Sequence, residues 1–147
     1  MEWVCKAYHE LSRDELYALL KLRQVVFVVE QACSYLDLDD KDRRAWHLWS
    51  APGGEFEAYL RYFAPGELFA EASLGRIVTA PARRRGGLGR ALVAEGLERL
   101  VRQFGPGPVR IGAQSYLERF YASFGFERCG PEYVEDGIPH LPMRRPG

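Results

Sequence analysis

The spacing of apolar residues predicts three helices along the chain. Ser12 and Glu15 form a capping-box pattern, and the leucines after them recur at helical intervals, so the first helix is predicted to run to about Glu30. A second helix follows a glycine-rich segment and is predicted to stop at Gly105, which begins a Gly-Pro-Gly-Pro run. A short third helix is predicted over residues 115–124, where glycine follows the last aromatic position.

The remaining apolar segments are short and carry the alternation or the bounding turn residues typical of β-strands. Seven are predicted, over residues 2–8, 46–49, 56–63, 74–80, 109–114, 126–130 and 138–144. Their order among the helices, β-α-β-β-β-α-β-α-β-β, predicts an α/β (α+β) fold built on a mixed sheet. A length of 147 residues suits one domain, so residues 1–147 are expected to fold as a single unit.

Composition narrows the classes of function that the chain can have. Hydrophobic residues make up 47% of it, enough for a core without disulfides or metal. The 20 basic and 20 acidic residues cancel, which argues against a nucleic-acid partner. There is no long apolar run and no signal-peptide pattern, so no membrane association is expected. Three cysteines without Cys-x-x-Cys spacing predict free thiols and a cytoplasmic location.

The segment from Arg84 to Arg90 is the main candidate for chemistry, because it joins a predicted strand to a predicted helix. Unpaired N–H groups at a helix N-terminus attract phosphate, and glycines let the backbone approach it closely. A glycine-rich turn with a solvated basic face is the alternative interpretation. The third glycine of a dinucleotide-binding fingerprint is missing, and no Gly-Lys-Ser/Thr of a nucleotide-triphosphate loop occurs.

Two motifs together resemble the GNAT superfamily of acyltransferases. Arg84-x-x-Gly87-x-Gly89 is similar to its pyrophosphate loop, and the segment from Gln114 to Phe126 is similar to its second half-site, a polar strand end followed by Tyr-x-x-x-Gly-Phe. The likeness extends over nearly the whole chain to the ElaA-like branch. It rests on residues 26–31, Tyr35-x-Asp37-x-Asp39, His47, residues 112–114, residues 120–126 and residues 135–140.

The resemblance implies a GNAT fold, with a mostly antiparallel sheet of about seven strands splayed between the fourth and fifth and about four helices. It implies acetyl-CoA as co-substrate, no metal, and direct attack by a primary amine of a small molecule or peptide in a ternary complex. A monomer or a homodimer is expected. A CoA-binding regulatory or interaction domain without turnover is the alternative function.

The resemblance also implies roles for individual residues. Coenzyme binding is expected from Ile77, Val78, Thr79, Arg84, Arg85, Gly86, Gly87, Leu88, Gly89, Arg90, Gln114 and Tyr121. Tyr121 would also protonate the leaving thiolate, since a phenol with a pKa of about 10 keeps its proton at neutral pH. The base that deprotonates the amine stays open among Glu71, His47 and His140, each of which could instead be a hydrogen-bonded structural residue.

The acceptor is expected between the end of the first helix, the loop of residues 35–42 and the segment of residues 133–140. Acceptor binding is predicted for Glu30, Gln31, Tyr35, Asp37 and Asp39. The loop does not fit a calcium site, because the sixth position is Asp42 rather than glycine. Its carboxylates are predicted to attract a cationic amine. A solvated acidic loop is the other interpretation.

Overall fold

Eight strands form the sheet of this protein in a computed structural model, which describes residues 2–147. The strands are β1 (Val4–Ala7), β2 (Trp46–Ser50), β3 (Ala58–Phe63), β4 (Ala72–Thr79), β5 (Val109–Gln114), β6 (Glu127–Arg128), β7 (Tyr133–Glu135) and β8 (Ile138–Arg145). The α-helices are α1 (Arg13–Arg23), α2 (Leu88–Phe104) and α3 (Glu118–Ala122). Short 3₁₀ turns cover Tyr8–Glu10, Asp42–Arg44, Pro81–Arg83 and Ser115–Leu117.

The sheet opens between β4 and β5. Its order is β1-β2-β3-β4-β5-β8-β6, with β7 paired to β8, and every neighbouring pair is antiparallel except β4 and β5. The parallel pair is joined only at Ala72–Val109 and Ser73–Arg110. Beyond Ser73 the two strands diverge, so the inner edge of β4 up to Thr79 is left without a strand partner.

Helices cover both faces of the sheet and give it two apolar layers. On one face, α2 buries Leu92, Val93 and Leu97 against the sheet. Gly96 allows this helix to lie close, because a Cβ at this position would lie 2.9 Å from a methyl group of Leu60. On the other face, α1 packs against the sheet through the cluster Leu19, Leu22, Val26, Trp49, Tyr59 and Val78. Strand β3 lies between the two layers and is buried throughout.

The first helix changes its geometry part of the way along. It begins at the predicted capping box, where the Ser12 hydroxyl accepts from the Glu15 amide. From Gln24 to Glu30 the backbone is a π-helix, which ends as the amide of Gln31 donates to the Val26 carbonyl five residues earlier.

The fold confirms the predicted sheet splayed between its fourth and fifth strands and corrects the counts of its elements. There are eight strands rather than seven, because Tyr133–Glu135 forms a three-residue strand too short to show a period. Among residues 2–147 there are three α-helices, and the π-helix continues the first. No helix of the described residues is long and apolar enough to cross a membrane.

Candidate active site

A cavity of about 640 Å³ lies where β4 and β5 separate. The open edge of β4, from Ser73 to Thr79, forms one wall, and the end of β5 forms the opposite wall. The π-helix, the loop of residues 33–41 and the β7–β8 hairpin complete it. Both predicted halves of the site border this one space, since Arg84 and Tyr121 line it together with Tyr35 and His140.

The glycine-rich segment has the backbone that an anion site requires. Helix α2 starts at Leu88, directly after Gly87 in the left-handed conformation (φ 78°), and Arg85 also has a positive φ of 72°. Space above Gly86 and Gly87 is open, since a Cβ at either would meet nothing within 4 Å. The first N–H groups of α2 have no partner within the helix, and this helix start follows closely on Arg84, which lines the cavity.

Two arginines of this segment already have partners. The Arg84 guanidinium forms two hydrogen bonds with the Glu30 carboxylate, at 2.9 and 2.6 Å, and both side chains are exposed. That contact lowers the pKa of Glu30. Arg90 lies over the rings of Phe120 and Phe124 and donates to the Ser123 hydroxyl, so it ties α2 to α3. The predicted coenzyme residue Arg84 and the predicted acceptor residue Glu30 are therefore bound to each other.

Tyr121 lies on α3 and lines the cavity from the β5 side. The side chain is 5% exposed and packs edge-on against Phe120 and Phe126, so its ring is fixed. Within residues 2–147 no side chain or carbonyl takes part in a hydrogen bond with its hydroxyl. Burial raises the pKa of Tyr121, so the phenol keeps its proton at neutral pH.

His140 is the one of the three proposed bases that borders the cavity. Its Nδ1 lies 2.7 Å from the Ile138 carbonyl, which can only accept, so Nδ1 carries the hydrogen. In the neutral ring Nε2 therefore has a free lone pair. Nε2 lies 3.6 Å from a carboxylate oxygen of Glu135, and the ring stacks on Tyr133. A proton taken up at Nε2 would be next to a negative charge.

The other two predicted bases lie outside the cavity. Glu71 precedes β4 at the closed end of the splay and forms an ion pair with Arg144, at 3.0 Å. A hydrogen bond from its own backbone amide, together with Arg144, lowers the pKa of Glu71, which makes it a weaker base. The sequence could not show that Glu71 lies outside the cavity. The alternation of side chains along a strand predicts which face of the sheet a residue is on, but not where the sheet opens.

His47 is fully buried on β2 and is held on both ring nitrogens. Nε2 donates to the Asp42 carbonyl at 2.9 Å, which leaves Nδ1 to accept from the Tyr59 hydroxyl at 2.7 Å. Burial lowers the pKa of His47 and keeps the ring neutral. With no free lone pair and no access to the cavity, His47 is a structural residue of the β2–β3 pair.

The acidic loop is bound to arginines. Asp37 accepts from Arg23 at 2.7 Å and pairs with Arg76 at 2.9 Å, and Asp39 is bound by Arg61. Three aspartates and three arginines form this group, called the ionic cluster below: Arg23, Asp37, Asp39, Asp42, Arg61 and Arg76. Its formal charges cancel, so Asp37, Asp39 and Asp42 do not present the free negative charge that was predicted for the loop.

Two carboxylates of the ionic cluster, those of Asp39 and Asp42, are held ionised. Burial acts to raise the pKa of Asp39, but the hydrogen bond and charge of Arg61 outweigh it and hold that pKa far below its ordinary value. Burial also acts to raise the pKa of Asp42, but the guanidinium groups of Arg23 and Arg61 outweigh it, so the pKa of Asp42 is lowered as well. These groups cannot take a proton from an amine near neutral pH.

The remaining predicted acceptor residues border the cavity. Gln31 exchanges weak hydrogen bonds with Gln114 across it, at 3.3 and 3.4 Å, so the end of the π-helix meets the end of β5. Tyr35 covers Gly137 in the β7–β8 turn, where a Cβ would lie 3.7 Å from its ring. The loop and the hairpin thus form one side of the cavity, as the sequence predicted.

Arg76, Tyr133 and Glu135 line the cavity, and no individual role was predicted for any of them from the sequence. Tyr133 and Glu135 both face the cavity because they are two residues apart on β7. Gly112 makes room for Tyr133, since a Cβ there would collide with the tyrosine hydroxyl. The glycine at position 112 can be seen in the sequence, but no local pattern relates it to Tyr133, which lies 21 positions later.

Known proteins are similar to this chain in sequence. The family model described as "Acetyltransferase (GNAT) domain" matches residues 61–146. Over 147 residues the chain is 39% identical to the protein ElaA of Escherichia coli, covering 99% of this chain and 96% of that one. A UPF0039 protein of Mycobacterium tuberculosis is 45% identical over 145 residues, 94% of this chain and 88% of the relative.

Solved structures agree in fold along the whole length. An acyl-CoA N-acyltransferase from Pseudomonas aeruginosa superposes with a TM-score of 0.93, at 39% identity and 99% coverage of both chains. The crystal structure of Escherichia coli ElaA gives a TM-score of 0.91, at 38% identity and 98% coverage of both. The chain therefore belongs to the GNAT family of acyltransferases, in its ElaA-like branch.

Proposed function

We propose that the protein transfers the acetyl group of acetyl-CoA to a primary amine by direct attack in a ternary complex. The observation that carries this proposal is the single cavity at the splay, with a buried, protonated phenol on the β5 side and an imidazole with a free lone pair on the β8 side. A proton donor for the thiolate and a proton acceptor for the amine thus border the same space.

The donor enters from the α2 side. The N–H groups after Gly87 would hold the pyrophosphate, with Arg84 released from Glu30 to reach a phosphate oxygen. The pantetheine arm would then run along the open edge of β4 at Ile77, Val78 and Thr79, pairing with it as an added strand would. A main-chain N–H of this edge would donate a hydrogen bond to the thioester carbonyl oxygen as that oxygen becomes negative.

The proton transfers follow from the two side chains. An ammonium substrate must first lose a proton, and His140 Nε2 takes it, directly or through water, with Glu135 stabilising the imidazolium. The neutral amine then attacks the thioester carbon and a C–N bond forms. The nitrogen gives its second proton to solvent as the C–S bond breaks, and the His140 imidazolium releases its proton to solvent. Tyr121 gives its proton to the departing thiolate, and solvent reprotonates the phenolate. The products are an amide and free CoA.

The acceptor approaches from the β7–β8 hairpin and the loop that carries Tyr35. Since Asp37 and Asp39 are bound to arginines, we assign the attraction of a cationic amine to the carboxylates of Glu135 and Asp136, which are exposed beside the cavity. The cavity belongs to one chain, so a monomer would suffice. The alternative, a CoA-binding domain without turnover, leaves the placement of Tyr121 and His140 without a purpose.

An acceptor screen tests the proposal. Acetyl-CoA is offered with polyamines, amino acids, aminoglycosides and lysine peptides, and release of free CoA thiol is followed. His140→Gln should lower the rate of whichever acceptor reacts by about 10²-fold or more, the usual contribution of a general base. His9→Gln is the matched control, since His9 is exposed on the 3₁₀ turn after β1. CoA binding without thiol release for any amine would favour the regulatory alternative.

A further inference from the structure

Strand β4 contains a one-residue irregularity at the mouth of the splay. Gly75 is opposite Arg61 on β3, but three residues later Val78 is opposite Tyr59, so one extra residue is inserted on β4. Arg76 occupies this bulge with a φ of 49°, a left-handed conformation that a residue with a Cβ adopts at a cost. Something outside β4 must hold it there.

The ionic cluster supplies that restraint. Arg76 Nε lies 2.9 Å from the Asp37 carboxylate, and Nη2 donates to the Asp37 carbonyl at 2.9 Å and lies 3.4 Å from Asp39. Asp37 and Asp39 are themselves held by Arg23 and Arg61, which are almost completely buried. The guanidinium of Arg76 is therefore bound to a rigid neighbour rather than to a mobile loop.

The bulge lies within the part of β4 that lines the cavity and directly precedes Ile77–Thr79. Pairing with β5 ends at Ser73, so the next residues of β4 have a free inner edge that lines the cavity. An extra residue at position 76 reverses which main-chain groups after it point to β3 and which point to that edge. The N–H and C=O groups offered to the cavity at Ile77–Thr79 are therefore determined by the bulge.

We propose that Arg76 is a positioning residue: its ion pairs with Asp37 and Asp39 hold the left-handed bulge and thereby aim the β4 backbone at the thioester. The claim that the β4 backbone is aimed at the thioester rests on the proposed function. The other part of the proposal, that the side chain of Arg76 holds the backbone after it, is independent of any reaction.

The test compares Arg76→Ala with Arg76→Gly. Both variants lose the same ion pairs, but only glycine adopts a positive φ without cost, so it should retain the bulge better. Arg144→Ala is the control, since it removes an arginine ion pair from strand β8 outside the cavity. Turnover at saturating substrates should fall about tenfold or more in the alanine variant and by less in the glycine variant. CoA affinity should fall less than turnover does, because the phosphate loop is untouched and only the pairing of the pantetheine arm with β4 is disturbed.

Amide hydrogen exchange over residues 72–80 gives a readout without activity. Exchange should be fastest in Arg76→Ala, intermediate in Arg76→Gly and unchanged in Arg144→Ala. If Arg76→Ala fails to fold while Arg76→Gly folds, the result also supports the proposal, because the two variants differ in how readily residue 76 adopts a positive φ. Equal exchange and equal turnover in the two variants would overturn the proposal. If the wild type acetylates no amine, the proposed function fails, while the exchange order still decides the role of Arg76.

Discussion

Removing the charge of Asp42 should be among the most destabilising single changes in this protein. Asp42 Oδ1 accepts from Arg23 Nη1 at 2.7 Å and from Arg61 Nη1 at 2.8 Å. Arg23 is 0% exposed and Arg61 is 4% exposed. Asp42→Asn keeps the shape and one acceptor oxygen, but leaves the ionic cluster with three positive and two negative charges.

The magnitude follows from the burial of the two arginines. Breaking a buried ion pair by removing one partner costs about 3–5 kcal/mol, because the other charge stays buried without compensation. Asparagine retains a hydrogen-bond acceptor, and Asp37 and Asp39 remain, so the lower end applies. We expect the free energy of unfolding to fall by about 3 kcal/mol. With a urea m-value of about 1–3 kcal/mol/M, the midpoint should move down by roughly 1–3 M.

Urea unfolding at pH 7, followed by tyrosine and tryptophan fluorescence and by circular dichroism, measures this change. Glu67→Gln is the control, because Glu67 pairs with Arg44 at 3.2 Å with both side chains more than 40% exposed. An exposed pair contributes less than about 1 kcal/mol. If Asp42→Asn shifts the midpoint no more than Glu67→Gln does, the buried charges of the ionic cluster do not stabilise the fold.

Three further predictions concern the donor, the general acid and pH. Tyr121→Phe should lower turnover roughly ten- to a thousand-fold and leave CoA affinity unchanged by calorimetry, and a near-normal rate would reduce Tyr121 to a packing residue. Glu30→Gln should tighten CoA binding about two- to fivefold by freeing Arg84, whereas weaker binding would show that the pair prepares the site. The folded-state pKa of Asp39 is depressed, so its contribution to stability is complete above its unfolded pKa of about 4 and is lost as pH falls below it. Urea midpoints measured from pH 7 to pH 3 should therefore fall less steeply in Asp39→Asn than in wild type, and equal slopes would contradict this.

The parts of the fold that local chemistry determines could be predicted from the sequence. Ser12 and Glu15 form the capping box because both partners lie within one helical turn. Gly87 has the positive φ that its place between a strand and a helix suggested. The resemblance to the GNAT family predicted the splayed sheet and the expected coenzyme-binding side. That resemblance depends on two short motifs in the right order. Each of these signals is contained in a few consecutive residues.

The ionic cluster could not be predicted in this way, since its members come from α1, an irregular loop, β3 and β4. Asp37 and Asp39 look like solvated loop residues in the sequence, and their partners Arg23 and Arg61 look like polar positions of a helix and a strand. Only the fold brings them to within 3 Å of each other. The π-helix was missed for another reason: seven residues do not distinguish a period of 3.6 from a slightly longer one.

The neutrality of the ionic cluster determines where acceptor chemistry can occur. Its three carboxylates are bound to arginines, so they do not attract an incoming cation strongly, and the lowered pKa values of Asp39 and Asp42 make these two poor proton acceptors. In the proposed function, the remaining groups on the acceptor side lie on one hairpin, where Glu135 would supply charge, Tyr133 a flat contact and His140 a lone pair. The donor side depends on α2, β4 and α3 instead. Because the two sets share no element, selectivity for the amine could change through the hairpin while coenzyme binding stays the same.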